Sequence, residues 1–502
     1  MTKLAVVLSR AEFGVQAPQV RVEVHISRGL PGLSIVGMPE TAVKESKDRV
    51  RAAIMNSGYE FPQHRITINL SPADIPKQGG RYDLPIAIGV LAASGQVMTE
   101  KLLDVEFIGE LALGGDLRPI RGVLPVVSEV ATTGRSLICP MDNGIEAALV
   151  QSCDCMLAHN LLAVCAWLDA VDELPRAEIT TIKNQQSIPD LADVKGQEHA
   201  KRALIIAASG KHNLLFYGPP GTGKTMLASR LPGILPDLTE AEALETASVA
   251  SISAMGFDPT TWSQPPFRSP HHTASAPALV GGGSNPLPGE ISLAQNGVLF
   301  LDELPEFSRH VLEVLREPLE SGKIIISRAA RTAEFPARFQ LLASLNPCPC
   351  GYLGDPDRTC ECSVGQIKNY RNRISGPLLD RIDLQVEVPR IPHKTLRQAN
   401  TNTYNSTTIK QQVIQSRQLQ LQRNHGKSNG QLQGKEIETH IPLSEPLHDF
   451  LEQVVDKLRL SARAYHRIIK VSRTIADLDG STQVEQKHLA EAISFRGFDR
   501  GN

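Results

Sequence analysis

The stretch that decides the fold reads Gly-Pro-Pro-Gly-Thr-Gly-Lys-Thr at residues 218–225, a complete G-x-x-x-x-G-K-[ST] phosphate loop. Its glycines let backbone N–H groups converge on phosphate oxygens without a Cβ in the way. Leu214–Tyr217 before the loop is a predicted buried strand, and Met226–Leu231 after it is a predicted helix start. Lys224 is expected to reach the β- and γ-phosphates of ATP, and Thr225 to hold Mg²⁺. The predicted nucleotide-binding residues of the loop are Gly218, Pro219, Pro220, Gly221, Thr222, Gly223, Lys224 and Thr225.

A second apolar run, Val298–Leu301, ends in two carboxylates, Asp302 and Glu303. Ligand groups gather at the carboxyl ends of buried parallel strands, so this run is the expected other half of the nucleotide site. Asp302 is predicted to support Mg²⁺, and Glu303 to polarise the attacking water as general base. An apolar strand that ends in Asp-Glu is a weak signal alone. At this distance after a phosphate loop it indicates ATP hydrolysis.

Asn346 follows a third apolar run, Phe339–Leu342, through Ala-Ser-Leu. A polar residue at the end of a strand beside the two nucleotide strands can orient the attacking water, so Asn346 is the candidate sensor of the γ-phosphate. The alternative is an Asn that starts a turn before Pro347, and the two interpretations are compatible.

A cation for the transition state is predicted within residues 376–383, Gly-Pro-Leu-Leu-Asp-Arg-Ile-Asp. A ring-shaped ATPase needs such a cation from the neighbouring subunit to stabilise the charge of the transferring phosphate. Arg381 fits that position. The alternative is a local salt bridge of Arg381 with Asp380 or Asp383.

A further arginine is predicted to come from the C-terminal helical segment Leu460–Leu478. An arginine of a helical lid can close over the γ-phosphate of the same subunit. Arg463 is the residue chosen for this role, and Arg467, one turn later on the same face, is its competitor.

Composition sets the limits of these predictions. The chain has 502 residues, enough for about three domains. Its formal net charge is −2, so any DNA site must be a local patch or a ring made by assembly. No apolar run approaches the roughly 18 residues of a membrane span, and the start lacks a secretory signal, so a cytoplasmic protein without membrane contact is expected. Structural disulfides are then not expected among the eight cysteines.

The sequence predicts three parts, with a linker between the first and the second. Residues 1–168 alternate β-rich and helical runs, residues 169–189 form a polar, proline-flanked linker, residues 190–390 hold the nucleotide motifs, and residues 391–502 form a helical lid. The Gln/Asn-rich stretch near 398–434 has little to pack into a core, and part of it is expected to be mobile. In the first part, the predicted strands are Val20–Ile26, Ile66–Leu70 and Phe107–Leu113, and the predicted helices are Ala42–Ser57 and Leu84–Ser94.

The motifs in this order resemble an AAA+ ATPase module and, more narrowly, the ComM/YifB family of its magnesium-chelatase-like branch. The closer match rests on three groups of segments: 267–275 with 279–283 and 288–291; Asn-Pro-Cys-Pro-Cys-Gly at 346–351; and 376–383 with Ser-Ala-Arg at 461–463. The resemblance covers essentially the whole chain. It implies a multidomain α/β protein that forms a hexameric, ATP-driven DNA helicase, active in branch migration and DNA recombination during natural transformation. ATP or ADP with Mg²⁺ would be its cofactors, and single-stranded, duplex or branched DNA and recombination proteins its partners. Composition and spacing alone indicate only a ring-forming ATPase.

Two inserts are candidates for DNA binding. Residues 267–290, rich in Gly, Pro and His, match the helix-2 insert of this AAA+ branch, which can project into a ring pore. Its predicted phosphate contacts are Arg268, His271 and His272. The alternative is a surface loop whose histidines cap turns.

The second insert, residues 322–332, alternates apolar and polar residues around a turn and resembles the hairpin before the sensor strand. Its cations Lys323, Arg328 and Arg331 are predicted to face the pore. Contacts to phosphates rather than bases would give sequence-tolerant, salt-sensitive binding. A solvated hairpin face is the alternative.

Four cysteines form the pattern C-x-C-x₉-C-x-C: Cys348, Cys350, Cys360 and Cys362. Four thiolates suit tetrahedral structural Zn²⁺, although this spacing is tighter than the usual C-x₂₋₄-C. A closed four-cysteine site would brace the loop beside the sensor rather than do chemistry. Reduced, unliganded cysteines are the alternative.

The N-terminal part resembles the proteolytic domain of Lon, a ribosomal S5 domain 2-like α+β unit that uses a serine–lysine pair. The segments that carry the resemblance are 32–39, 76–80 and 107–120. The stretch expected to hold the serine, 80–86, contains none, and the stretch expected to hold the lysine, 119–125, contains no lysine. Because the dyad needs both members, a Lon-like domain without peptidase activity is predicted, used for ring assembly or DNA handling.

Two other functions remain open at this point. A chelatase-type motor would remodel a protein partner so that it inserts a metal into a porphyrin, and its ATPase would not respond to DNA. A regulatory ATPase would bind DNA without moving along it. An ATP-dependent protease is disfavoured because the dyad is missing.

Overall fold

The computed structural model describes residues 3–179, 188–283, 286–328, 331–392, 405–458 and 460–498. Two sheets organise these residues, one in the N-terminal part and one beside the phosphate loop. Within the described ranges, no helix combines the length and the apolar character that crossing a membrane requires.

The N-terminal strands form one mixed sheet and one short hairpin. They are β1 Lys3–Arg10, β2 Gln19–Ser27, β3 Gly32–Val36, β4 Arg65–Ser71, β5 Val105–Phe107, β6 Glu110–Leu111, β7 Leu117–Arg118, β8 Ser136–Pro140 and β9 Cys155–Ala158. The sheet runs β3-β4-β2-β1-β5-β8-β9, with β6 and β7 as the separate hairpin. Alternate side chains of β2 are buried because only one face of this strand packs on the helices. The predicted strands at 20–26 and 66–70 are confirmed.

Helices cover the sheet and supply its core. They are α1 Thr41–Asn56, α2 Asp83–Ser94, α3 Val123–Ala131, α4 Gly144–Ala147 and α5 Leu161–Leu168. Helix α2 packs on β1, β2 and α1 and is buried from Asp83 to Ala93, as its apolar character on all sides requires. The two helices predicted in this part are confirmed to within one residue at either end.

The single strand predicted over residues 107–113 is wrong. β5 ends at Phe107, and the chain turns before β6. The Gly109 N–H donates to the Arg81 carbonyl at 3.0 Å, and the Gly109 carbonyl accepts from the Leu84 N–H at 3.0 Å. These bonds turn the chain toward the start of α2, and a Cβ at Gly109 would lie 2.8 Å from Leu117 Cδ2. A tertiary contact therefore interrupts the strand.

The second sheet is parallel throughout. The strands of this part are β10 Leu214–Tyr217, β11 Phe267–Arg268, β12 Gly281–Gly282, β13 Leu287–Pro288, β14 Val298–Leu301, β15 Lys323–Arg328, β16 Arg331–Pro336, β17 Gln340–Leu345 and β18 Leu384–Glu387. The sheet order is β11-β14-β17-β10-β18, and β12–β13 and β15–β16 are antiparallel pairs. β14 is buried at every residue, as a central parallel strand requires. The parallel strands bring their carboxyl ends to one edge, where the phosphate loop begins.

Ten helices of the described ranges surround this sheet. They are α6 Glu198–Gly210, α7 Lys224–Ala228, α8 Leu231–Ile234, α9 Glu240–Ser251, α10 Ala276–Val280, α11 Glu290–Leu293, α12 Arg309–Val314, α13 Pro318–Ser321, α14 Val364–Arg371 and α15 Gly376–Leu379. The helix predicted from Met226 onward begins two residues earlier and ends at Ala228. A new helix, α8, follows with Pro232 in its first turn, where proline's missing N–H costs nothing.

The C-terminal part is helical in the described ranges. Its helices are α16 Ser406–Arg423, α17 Lys435–His440, α18 Glu445–Leu458, α19 Ala462–Leu478 and α20 Gln486–Ser494. Helix α19 confirms the predicted segment 460–478 except for its first residues. It begins after Ser461, whose hydroxyl accepts from the Ala464 N–H at 3.2 Å as an N-cap.

The Gln/Asn-rich stretch packs more closely than predicted where it is described. Helix α16 contacts α6 and α19. Gln420, Asn424 and Asn429 are each at most 1% exposed. Asn429 donates its backbone N–H to Gln420 Oε1 at 2.9 Å, and Asn424 Nδ2 donates to Asn429 Oδ1 at 2.9 Å. The polar side chains form hydrogen bonds with one another and can therefore be buried. The prediction that this stretch packs little into a core is wrong over residues 405–434. Residues 398–404 lie outside the described ranges.

The N-terminal part packs on the second sheet's layer through α9 and the β15–β16 hairpin. Gly122 donates its N–H to the Ser251 carbonyl at 3.1 Å, and the Ser251 hydroxyl bonds Glu146. Gly14, in the turn between β1 and β2, fits against β16, since a Cβ there would lie 3.5 Å from the Glu334 carbonyl oxygen. The hairpin is therefore in contact with the N-terminal part.

Candidate functional site

The phosphate loop joins β10 to α7 as the sequence predicts. A Cβ on Gly218 would lie 2.3 Å from the carbonyl oxygen of Val388, the residue after β18, so a side chain there would push the loop away from the end of that strand. Gly223 has φ of 91° immediately before α7, a conformation that glycine adopts without strain. The loop is thus a backbone cradle that fits phosphate groups.

The Lys224 ammonium group lies inside the cradle. It donates to the Gly218 and Pro219 carbonyls at 2.7 and 2.9 Å and to Asn346 Oδ1 at 3.1 Å. Burial lowers the pKa of Lys224 to about 8, while Asp302 and Glu303 oppose the shift. The cation is therefore positioned for a negatively charged ligand, with the predicted sensor Asn346 in direct contact with it.

The predicted magnesium ligands lie side by side. Thr225 Oγ1 donates to Asp302 Oδ2 at 2.7 Å, and the other oxygen of Asp302 accepts from the Ser344 hydroxyl. Hydroxyl and carboxylate oxygens are the donor set that Mg²⁺ prefers, so these residues fit the ion. Ser344 was not among the predicted site residues. Its signal was its position as a polar residue in β17, beside the strand that ends in Asp302.

Glu303 follows Asp302 in a left-handed backbone conformation, with φ of 53°. Its N–H donates to Ser344 Oγ at 3.3 Å, and its carboxylate is half exposed. His272 Nδ1 lies 3.6 Å from Glu303 Oε2. Ser344 thus contacts both neighbouring acidic residues, through the carboxylate of Asp302 and the backbone N–H of Glu303, and the half-exposed Glu303 carboxylate is accessible to a water molecule.

The three predicted DNA contacts of the 267–290 insert have intramolecular partners. Arg268 belongs to β11 and forms a two-point salt bridge with Glu290, both bonds 2.7 Å long. His271 Nδ1 lies 2.8 Å from the Thr273 hydroxyl, which is the turn-capping alternative. His272 faces Glu303. Each of the three side chains therefore contacts a group of the same chain, which a DNA phosphate would have to replace, and their contact with DNA stays a prediction.

Residues 323–336 form the predicted hairpin. The register pairs Lys323 with Pro336 at the base and Arg328 with Arg331 at the turn. Lys323 Nζ lies 3.1 Å from Glu334 Oε2, so its charge is partly neutralised across the hairpin. The side chains of Arg328 and Arg331 lie outside the described atoms.

Arg381, the predicted cation for the transition state of a neighbouring subunit, is buried, with 7% of its surface exposed. Its Nη2 pairs with Glu320 and its Nη1 donates to the Pro377 carbonyl at 2.5 Å. The alternative of a local salt bridge, which the sequence leaves open, therefore exists, but its partner is Glu320 and neither Asp380 nor Asp383.

Those two aspartates hold the two candidate lid arginines. Arg463 lies 3.4 Å from Asp380, and its side chain is 60% exposed. Arg467 pairs with Asp383, which is 4% exposed. Burial opposes the charge of Asp383, but Arg467 and Lys470 hold the pKa of its carboxyl far below the usual range. Arg467 is thus a structural partner of a buried carboxylate, whereas Arg463 has room to move.

The four predicted metal-binding cysteines form one cluster, with their sulfur atoms within 4.8 Å of one another. Cys348 Sγ lies 3.4 Å from Cys350 Sγ and 3.6 Å from Cys360 Sγ. A tetrahedral zinc site with bonds of about 2.3 Å needs sulfur atoms roughly 3.8 Å apart, so the cluster fits Zn²⁺. Bonds from backbone N–H groups, first that of Tyr352, lower the pKa of Cys350 to about 6.

The cysteine loop touches the phosphate loop. A Cβ on Gly351 would lie 2.7 Å from Pro220 Cδ. The other four cysteines, Cys139, Cys153, Cys155 and Cys165, are free thiols. A metal held at residues 348–362 would therefore brace the cradle from one side.

Residues 80–86, the stretch that was predicted to correspond to the serine segment of Lon, hold a buried carboxylate, Asp83. Asp83 pairs with Arg49 Nε at 2.8 Å and accepts from the Ser46 hydroxyl. Burial raises the pKa of Asp83, although Arg49 and Ser46 oppose the shift. This ion pair ties α1 to α2, and it offers no free nucleophile.

Comparison with known proteins identifies this arrangement. Residues 190–396 match the family model of the magnesium chelatase subunit ChlI, residues 22–143 that of subunit ChlI of Mg-chelatase, and residues 403–496 that of its C-terminal part. The chain is 54% identical to competence protein ComM of Haemophilus influenzae, over 99% of this chain and 98% of the relative. It is 51% identical to the uncharacterized protein YifB of Escherichia coli, again over 99% and 98%. The chain is 28% identical to the magnesium-chelatase 38 kDa subunit of Rhodobacter capsulatus, over 31% of this chain and 49% of that subunit. The chain belongs to the ComM/YifB family of magnesium-chelatase-like AAA+ proteins.

Proposed function

We propose that this protein hydrolyses ATP as a ring-shaped hexamer and uses the energy to move along DNA, in branch migration that integrates DNA during natural transformation. The observation that carries the proposal is the junction of Lys224, Thr225, Asp302 and Asn346 around a glycine cradle. Whole-length similarity to a protein named competence protein ComM supports the DNA role. The magnesium-chelatase 38 kDa subunits are 26–28% identical to the chain over 31–39% of its length, which is weaker support for the chelatase-type alternative.

Hydrolysis would occur at the carboxyl edge of the parallel sheet. Thr225 and Asp302 would hold Mg²⁺, which neutralises charge on the phosphates. Lys224 would exchange its carbonyl partners for phosphate oxygens. Glu303 would take a proton from the attacking water as that water adds to the γ-phosphorus and the bond from that phosphorus to the β–γ bridging oxygen breaks, which releases ADP. Asn346, already bonded to Lys224, would fix the water or the γ-phosphate.

The arginines support the ring. Arg463 is near enough to Arg381 to lower its pKa, after the larger effect of burial, so the two cations lie in one region. We assign both to the nucleotide of a neighbouring subunit, because the segment that carries Arg381 holds Arg463 through Asp380. This differs from the expectation that Arg463 would close over its own subunit's phosphate. A site that borrows two cations is complete only in an oligomer.

The remaining parts receive supporting roles. The β15–β16 hairpin would contact the phosphate backbone of DNA in the pore through Lys323, Arg328 and Arg331. The four-cysteine cluster would hold structural Zn²⁺. The N-terminal part would act as a Lon-like domain without peptidase activity, used for ring assembly or DNA handling.

The test is the ATPase rate with and without single-stranded, duplex and four-way-junction DNA, with Glu303→Gln as the blank. Stimulation of the wild type by DNA is expected, and the structure that stimulates most would indicate the substrate. An active enzyme indifferent to DNA would contradict the motor and favour the remodelling of a protein partner. Stimulation without movement of strands or junctions would favour a regulatory ATPase.

A further inference from the structure

Arg381 is retained by its own subunit. The guanidinium side chain is 9% exposed and the Glu320 side chain that pairs with it is 62% exposed. The bond to the Pro377 carbonyl closes the other side of the guanidinium. A cation held in this way cannot reach a second nucleotide until the pair with Glu320 opens.

The charges around Arg381 make Glu320 the group that keeps the guanidinium in place. Burial lowers the pKa of Arg381, and the nearby cations Arg316 and Arg463 lower it further, whereas Glu320 raises it. Asp380, the adjacent carboxylate, is engaged by Arg463. Arginine nevertheless stays charged. Without Glu320, repulsion and the cost of burying an unpaired charge would both drive the side chain outward.

Glu320 is also tied to the candidate DNA hairpin. It lies in α13, and Gly322 alone separates that helix from β15. The two hairpin strands are bonded in continuous register, so they form one unit. A Cβ at Gly322 would lie 2.9 Å from Arg338 Cγ, so the joint is closely packed. Displacement of the hairpin would therefore move Glu320 relative to Arg381.

We propose that Glu320 is a positioning residue that restrains Arg381 until DNA displaces the β15–β16 hairpin. The inference rests on the proposed function, since it requires Arg381 to act on a neighbouring nucleotide and the hairpin to meet the phosphate backbone of DNA. It gives the ring a route by which DNA in the pore raises the rate of hydrolysis. Glu320 acts through Arg381 and does not itself touch the nucleotide.

The test compares Glu320→Gln with Glu317→Gln in the full-length protein. Glu317 neighbours Glu320 in the chain, is exposed, and makes no ion pair within the described residues. ATPase rates are measured without DNA and at saturating duplex DNA. Glu320→Gln should raise the DNA-free rate about three- to fivefold, the population change that a partly exposed ion pair controls, and leave the DNA-saturated rate unchanged. Glu317→Gln should change neither rate.

Arg381→Ala and the double variant Glu320→Gln/Arg381→Ala decide whether the effect runs through the arginine. The rise in the DNA-free rate should vanish in the double variant, relative to Arg381→Ala alone. An unchanged or lower DNA-free rate in Glu320→Gln overturns the proposal, and so does a rise that survives the loss of Arg381. If the wild type does not respond to DNA, the motor fails while an Arg381-dependent rise still supports the restraint. Thermal unfolding curves confirm that all variants are folded.

Discussion

The magnesium side and the arginine side of the candidate site differ in how they are completed. Thr225, Asp302 and Ser344 contact one another directly, at the ends of neighbouring parallel strands. Arg381 and Arg463 instead contact carboxylates of their own chain, Glu320 and Asp380. The fold of one chain thus assembles the first half. The second half is held in local ion pairs, which would have to open in the proposed ring.

We expect the two halves of the site to respond differently to substitution. Residues of the magnesium side contact one another through side chains at the ends of strands that backbone pairing holds in place, so we expect a change there to remove chemistry and leave the fold. The arginines of the other side differ in their partners. Asp380, the partner of Arg463, is partly exposed, whereas Asp383, the partner of Arg467, is buried.

The largest effect is expected for Glu303→Gln. Loss of the general base should reduce the ATPase rate by about 10² to 10⁴, because the attacking water loses its proton acceptor. Nucleotide binding, measured by titration with a fluorescent ATP analogue, should stay near wild type, whereas Lys224→Ala should weaken it. Glu306→Gln, three residues away on the exposed surface, serves as control. Normal turnover of Glu303→Gln would remove Glu303 from the mechanism.

A pair of arginine variants sharpens the comparison. Arg463→Ala should reduce hydrolysis on the order of 10² without loss of stability, since its partner Asp380 can be solvated. Arg467→Ala should instead lower the free energy of unfolding by about 3 kcal/mol, because it leaves the buried Asp383 carboxylate with fewer cations. Urea unfolding followed by circular dichroism, together with ATPase rates, separates the two. The reverse pattern would make Arg467 the nucleotide-facing arginine.

The cysteine loop extends the magnesium side, so metal removal should act on stability more than on chemistry. We expect about one Zn²⁺ per subunit by elemental analysis, lost in Cys360→Ser and retained in Cys153→Ser. Chelation should lower the melting temperature of the wild type and leave that of Cys360→Ser unchanged. A wild-type protein purified without zinc, and insensitive to added zinc, would favour four reduced thiols.

The smallest effect concerns the hairpin joined to the arginine side. Replacing Lys323, Arg328 and Arg331 by Gln should make the dependence of DNA affinity on salt less steep. The negative slope of log affinity against log salt concentration should shrink in magnitude by about 2 to 3, since each lost phosphate contact removes roughly one released counterion. Replacing the exposed cations Lys435, Lys457 and Lys487 changes the net charge equally and should leave the slope near wild type. An equal loss in both variants would place the DNA site elsewhere.

Local sequence predicted much of the fold. The strands at 214–217 and 298–301 are apolar because central parallel strands are buried on both faces. The residues that follow each apolar run therefore indicate a site at the carboxyl ends of these strands. The strand predicted over 107–113 was wrong because Gly109 is held by residues of the α2 start, a contact far along the chain. The stretch 405–434 was misjudged because its amide side chains bond one another inside the protein, which polarity alone does not reveal.

The sequence by itself determined the phosphate cradle, the two carboxylates after β14 and the four-cysteine pattern, because residues close in the chain encode each of them. Only the tertiary structure decided which partners the charged side chains take. It paired Arg268 with Glu290, His272 with Glu303 and Arg381 with Glu320. The physical reason is that an exposed cation and a paired cation look alike in a sequence, and only the folded chain brings an acid from another element within reach.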